Sequence, residues 1–142
     1  MPESTPFVKF SEGGIENPGL FTFTKATNAG RKNPRYYKGK VVILINEITQ
    51  SSAEFHAMAY RVNPNTTIIG STTAGADGNG SKFYLPGGIS TMISGIGVYY
   101  PDGKETQRIG IVPDIELKPT IQGVKNRQDE LMNKALEIIK GQ

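Results

Sequence analysis

Five consecutive apolar residues, Val41 to Ile45, precede a stretch in which apolar positions recur three and four apart. The unbroken β-branched and leucine run predicts a strand covered on both faces in a parallel sheet. Phe55, Met58, Ala59 and Val62 fall at i, i+3, i+4 and i+7 and predict one face of a helix. Between them lies Thr49-Gln50-Ser51-Ser52-Ala53-Glu54, where Ser51 and Glu54 fit the S-x-x-E capping box. A second buried strand is predicted over Thr66 to Ile69, after Asn63-Pro64-Asn65 ends the helix. The unit reads β-turn-α-β, with Ser51 at the carboxyl end of its first strand.

Alternation marks weaker strands earlier, at Phe7 to Phe10 and Leu20 to Lys25. Gly13-Gly14 and Asn17-Pro18-Gly19 punctuate turns, and Ala26 to Arg35 reads as a polar loop. The stretch from Gly70 to Gly80 holds four internal or terminal glycines and no apolar residue larger than alanine. It contains no lysine and no helical pattern follows it, which excludes a P-loop. It is expected to be a mobile loop beside Ser51, because it leaves the adjacent parallel strand. Ser81 to Leu85, Pro86-Gly87-Gly88 and Ile89 to Tyr100 predict a hairpin with a long second arm, in which Gly95 and Gly97 signal a bulge or a close backbone contact. Ile109 to Leu117 is expected to be extended. The final helix is expected to start near Asn126 and stop at Gly141, burying Leu131, Ala135, Leu136, Ile138 and Ile139.

Composition narrows the class. The 142 residues suit one domain, 1–142, with 37% hydrophobic and 20% charged residues, which is globular. The net charge of +3 is scattered, and its densest group, Lys25 to Lys40, lies in a Gly/Asn/Pro-rich loop rather than on a patterned face, so no nucleic-acid partner is expected. With no cysteine and one histidine, the sequence offers no metal-ligand cluster, and neither a metal nor another cofactor is expected. No apolar run is long enough to span a bilayer.

Ser51 is where chemistry and position meet. Ligands gather outside the carboxyl ends of strands in open α/β sheets. A hydroxyl on the first turn of a helix also lies beside unpaired N–H groups and the positive end of the helix dipole. Those groups suit an oxyanion, with the Ser52 N–H the natural donor. Local pattern alone favours a simple N-cap, because capping boxes vastly outnumber nucleophiles. His56 is five residues along the helix, rotated by about 140° from Ser51, and points away as a base. Glu54 reads as a capping residue. Asp114 reads as fixing the turn after Pro113.

Asn46-Glu47-x-Thr49-x-Ser51-x-x-Glu54 resembles the nucleophile segment of the tail-specific (C-terminal-processing) serine peptidases. Ile69-Gly70-x-x-Thr73-x-Gly75 and Gly110-Ile111-x-Pro113-Asp114-Ile115 extend the resemblance in the family's order, over about Tyr37 to Thr120. The resemblance implies an α/β fold, the C-terminal portion of a ClpP/crotonase-like β-β-α domain with a C-terminal helix, excised from a larger catalytic domain. It implies a serine peptidase acting on peptide or protein substrates through an acyl-enzyme on Ser51. In the serine–lysine branch the base is a lysine at the position of Ala76, in the loop beside Gly75. Alanine takes no proton, so the chain is more similar to the tricorn-like branch, whose base is a histidine from an upstream part of the polypeptide. That branch also uses a glutamate shortly before Gly-x-x-Pro-Asp; the nearest residues are Glu105, slightly early, and Gln107, better placed but uncharged. The resemblance further suggests the bacterial cell envelope, with the targeting signal upstream. It leaves the oligomeric state open. The same fold family includes retinoid-binding repeats, so a non-catalytic ligand- or peptide-binding module is the alternative.

Overall fold

The computed structural model describes residues 1–14 and 16–141. In chain order its elements are β1 (Thr5–Gly13), β2 (Phe21–Phe23), β3 (Thr27–Ala29), β4 (Val41–Ile45), α1 (Ser52–Arg61), β5 (Thr66–Gly70), β6 (Gly80–Tyr84), β7 (Ser90–Ser94), β8 (Val98–Tyr99), β9 (Ile115–Glu116), α2 (Ile121–Lys125) and α3 (Glu130–Lys140). The architecture is mixed α/β with a C-terminal helix.

The parallel sheet runs β4-β5-β9, with Ile43 opposite Ile68 and Ile45 opposite Gly70. The run at β4 forms the strand that its pattern predicts, but it is less buried than expected. Leu44 is exposed, because among the described residues β4 pairs only with β5 and so stands at a sheet edge. On β5 successive side chains face opposite ways. Ile68 joins the main core with Ala57 and Met58 of α1, whereas Ile69 and Ala135 are buried outside that cluster, on the face where α3 meets β4 and β5. Lys40 Nζ donates to the Ile138 carbonyl at 2.6 Å, a cation at the carboxyl end of α3.

A second sheet is built around β1, which pairs antiparallel with β2, β3 and β8. Phe7 and Phe10 of β1 pack on Phe55 of α1, with ring centroids 5.1 and 6.3 Å apart. Such pairs contribute about 0.5–1.5 kcal/mol beyond burial and fix β1 across the start of α1.

Four expectations need correction. The hairpin's second arm is not continuous: β7 ends at Ser94, and β8 turns away to pair with β1. Gly97 makes that change of sheet: its carbonyl accepts the Ser11 N–H at 2.9 Å and its N–H donates to Ser11 Oγ at 2.7 Å, a close approach that leaves no room for a side chain. The segment 109–117 is mostly irregular, with a strand only at Ile115–Glu116. The last helix begins at Glu130, where the Asp129 carboxylate caps the Met132 N–H at 2.9 Å, and α2 precedes it as a separate short helix. Of the five residues expected to be buried by α3, Ala135 is, while Leu136 and Ile139 are exposed.

Candidate active site

The turn between β4 and α1 is fixed by its own side chains. Asn46 Oδ1 accepts from the Ile48 and Thr49 N–H groups and from the Thr49 hydroxyl, and Thr49 Oγ1 accepts from the Asn46 N–H, all within 3.0–3.2 Å. This asparagine turn delivers the chain to Ser51 at φ 54° and ψ −123°. A serine there is strained, at a cost of about 1–3 kcal/mol, and such strain collects where a side chain must be aimed rather than packed. Ser51 and Glu54 sit in capping-box register. The Ser51 N–H donates to Glu54 Oε2 at 2.9 Å. Ser51 is solvent-exposed and lines a cavity of about 460 Å³ walled also by Phe10, Ser11, Phe55 and Asp77. Among the described residues no acceptor takes the Ser52 N–H, so it remains available at the amino end of α1.

Glu54 does far more than cap. It is fully buried and accepts four bonds: from Ser51 N–H, from the Thr73 hydroxyl at 2.5 Å, from Gly75 N–H at 2.8 Å and from Ala76 N–H at 3.0 Å. The Thr73 hydroxyl oxygen in turn accepts the Ile111 N–H at 2.7 Å. One carboxylate therefore ties the Ser51 turn and the 73–76 loop together and, through Thr73, the segment after Gly110. The loop is accordingly pinned, not a free flap. Ser71, Thr73, Gly75 and Asp77 are buried, the Ala74 N–H donates to the Thr49 carbonyl at 2.9 Å, and the Arg108 N–H donates to the Gly75 carbonyl at 2.6 Å. Gly75 has φ 66°, and a Cβ there would stand 2.9 Å from the Arg108 backbone. Glu47 holds the start of the loop by accepting the Ser71 hydroxyl at 2.7 Å, and that bond lowers its carboxyl below the ordinary range.

Gly75, Ala76, Glu105 and Gln107 meet at a neighbouring cavity of about 370 Å³ that shares Asp77 with the Ser51 cavity. Glu105 is ion-paired with Arg108 at 3.5 Å, and Gln107 Nε2 donates to the Ile96 carbonyl at 3.2 Å. His56 lies elsewhere: its Nδ1 donates to the Ser52 carbonyl at 2.5 Å, and the ring lines a cavity on the other side of α1, without Ser51. Asp114 does not act on its own turn as expected. Its Oδ2 accepts the Ile68 N–H at 2.7 Å and its Oδ1 pairs with Arg61 at 3.6 Å, so it extends the β5 ladder. No group of His, Cys, Asp or Glu among the described residues is arranged to hold a metal.

Asp77 escaped the sequence reading, although it is the sole carboxylate in the Gly70–Gly80 loop. Burial, and after it the negative charge of Glu54, push its carboxyl above the ordinary range, against the Gly78 N–H that donates to it. Phe10 and Ser11 also reach the site unannounced, because β1 arrives there through strand pairing.

A family model described as peptidase family S41 matches residues 9–117. The chain belongs to this peptidase family. No curated protein matches its sequence. A crystal structure of a provisional peptidase from Parabacteroides merdae is similar to it, with a TM-score of 0.81 and 20% identity over 98% of this chain and 44% of that one. The photosystem II D1 C-terminal processing protease gives 0.61 and 21% over 82% of this S41 chain and 28% of its own. The tricorn protease gives 0.54 and 17% over 90% and 12%. The chain thus spans less than half the length of these structures, and at such identities they share its fold.

Proposed function

We propose that this S41 chain carries the nucleophile of a serine peptidase, with Ser51 attacking the substrate carbonyl. The observation that carries the reading is the Ser51 side chain itself: exposed, and held at a strained φ in the wall of a cavity. Acyl transfer requires a nucleophile, an oxyanion donor and a base. Ser51 supplies the first and the Ser52 N–H supplies the second. Attack forms the Ser51 Oγ–carbonyl bond while the serine proton passes to the base; collapse breaks the peptide bond, the base returns the proton to the leaving amine, and water then releases the acyl group.

The base belongs, in this reading, to a segment preceding this chain in the polypeptide, as in the tricorn-like branch. His56 is turned to the Ser52 carbonyl, and Ala76, at the position that the family resemblance gives to a lysine base, takes no proton. Glu105 and Gln107, beside Gly75, border the neighbouring cavity as carboxylate and polar partner to that incoming group. The Gly70–Gly80 loop, clamped by Glu54, borders the substrate. A cell-envelope location accords with the family resemblance and is proposed with it.

The test is cleavage of an unstructured protein substrate by the polypeptide bearing this chain. Ser51→Ala should reduce turnover by at least about 10³-fold with little change in KM. Wild-type turnover in the variant contradicts the assignment. Ligand uptake without cleavage by either protein favours the binding-module reading instead.

A further inference from the structure

The cavity in front of Ser51 has a sign. Phe10, Phe55, Ile96 and Val98 give it apolar walls, Glu12 and Asp77 are its charged residues, and none of its lining residues is Lys, Arg or His. The chain as a whole carries a formal charge of +3, so the pocket runs against the charge of the molecule. Asp77 is the unusual member. It is 5% exposed, its Oδ1 accepts the Gly78 N–H, and its Oδ2 is buried with no hydrogen-bond partner among the described residues.

A buried carboxylate oxygen without a donor is costly, and native structures keep few of them. The Thr106 hydroxyl lies beside it but directs its proton to the Val98 carbonyl at 3.1 Å. Glu54 is itself an anion whose oxygens already accept four bonds, and Arg108 across the adjoining cavity is paired with Glu105. An apolar substrate side chain would leave Asp77 as it is. A long side chain with an apolar stem and a cationic head would match both the walls and the carboxylate.

We propose that this cavity is a specificity pocket for a basic residue, taking the Lys or Arg side chain of a peptide substrate, with its methylenes along Phe10, Phe55 and Val98 and its charge directed to Asp77. Glu12, exposed at the rim, adds a second negative charge on the approach. The raised carboxyl of Asp77 is the imbalance that a bound cation corrects. The proposal rests on Ser51 being the nucleophile that the pocket serves, and the following experiment separates the two.

The polypeptide bearing this chain, labelled with ¹⁵N, is titrated with benzamidine and with its neutral isostere benzamide while amide signals are followed by NMR. Benzamidine should bind about tenfold or more tightly than benzamide, the scale of one charge-assisted contact, and should move the Ser52 and Gly78 signals. Equal affinities in the wild type overturn the proposal without any variant being made. Asp77→Asn should bring benzamidine down to the benzamide level, and a gap that persists in this variant overturns the assignment to Asp77. Ser51→Ala should keep the gap; its loss there would assign recognition to the hydroxyl and overturn the pocket. Fluorophosphonate labelling of Ser51 with no gap between probes defeats the pocket alone. A gap with no labelling defeats the nucleophile alone.

Discussion

At Ser51 the backbone stores strain that no packing interaction requires. Ser51→Gly should raise stability by about 1–2 kcal/mol, since glycine occupies φ 54° without a Cβ clash, while removing the hydroxyl altogether. Ser51→Ala should show no such gain, because alanine keeps the Cβ; urea unfolding of the pair isolates the backbone contribution. Glu54 is the opposite case, a residue whose burial is satisfied. Glu54→Ala strands four donors on two segments and should destabilise by about 3–5 kcal/mol, with Glu54→Gln intermediate because the amide keeps one acceptor oxygen. Asp77 gives a sign that can be checked against pH. Its carboxyl is raised by burial and by Glu54, so ionising it opposes folding: its contribution is fully favourable below the ordinary aspartate range and is lost as pH rises through the raised value. Asp77→Asn should therefore be more stable than the wild type near pH 7, and that advantage should vanish on acidification to about pH 3, below the unfolded-state range. Stability curves at the two pH values decide it. Ser51 and Glu54 were legible because a capping box is a local pattern. Asp77 was not, because its burial depends on Glu54, Gly78 and the segment at Thr106, which no short window contains.

Elements differ in how firmly they are held. The β4-β5-β9 sheet lies between α1 and α3, whereas the β6–β7 hairpin is exposed along its whole length, and its two strands contact chiefly each other. Its ladder amides, such as those of Phe83 and Thr91, should exchange with solvent by local opening, well ahead of those of Ile68 and Ile69; amide exchange read residue by residue measures the difference. Equal protection of hairpin and sheet would contradict this division. The central β-turn-α-β was legible because period and length agreed there. The register break after Ser94 was not, since Gly95-Ile96-Gly97 signals an irregularity but not which strand β8 will join; Ser11, more than eighty residues earlier, decides that. The start of α3 was misplaced because α2 carries its own Thr120 cap, whose hydroxyl accepts the Gly123 N–H at 2.9 Å. Leu136 and Ile139 follow helical periodicity yet face outward, as pattern shows which face is apolar but not whether anything covers it.

For the molecule as a whole, long-range pairing turns one strained serine into a site. The parallel sheet carries Ser51 to its rim, β1 supplies the aromatic wall through Phe10, and a single buried carboxylate holds the facing loop in place. The family was readable from three short motifs, which Glu54 and Thr73 physically join. The pocket's sign was hidden because Glu12, Asp77 and Ile96 meet only after folding. The account's central claim is that the Ser51 hydroxyl is aimed into that pocket as a nucleophile. Its most direct test is fluorophosphonate treatment of the polypeptide bearing this chain, followed by peptide mapping in a mass spectrometer. The account predicts a single phosphonyl adduct on Ser51, within Val41–Arg61, that disappears in Ser51→Ala. An adduct on Ser52 or any other residue, or the same adduct surviving in Ser51→Ala, contradicts it.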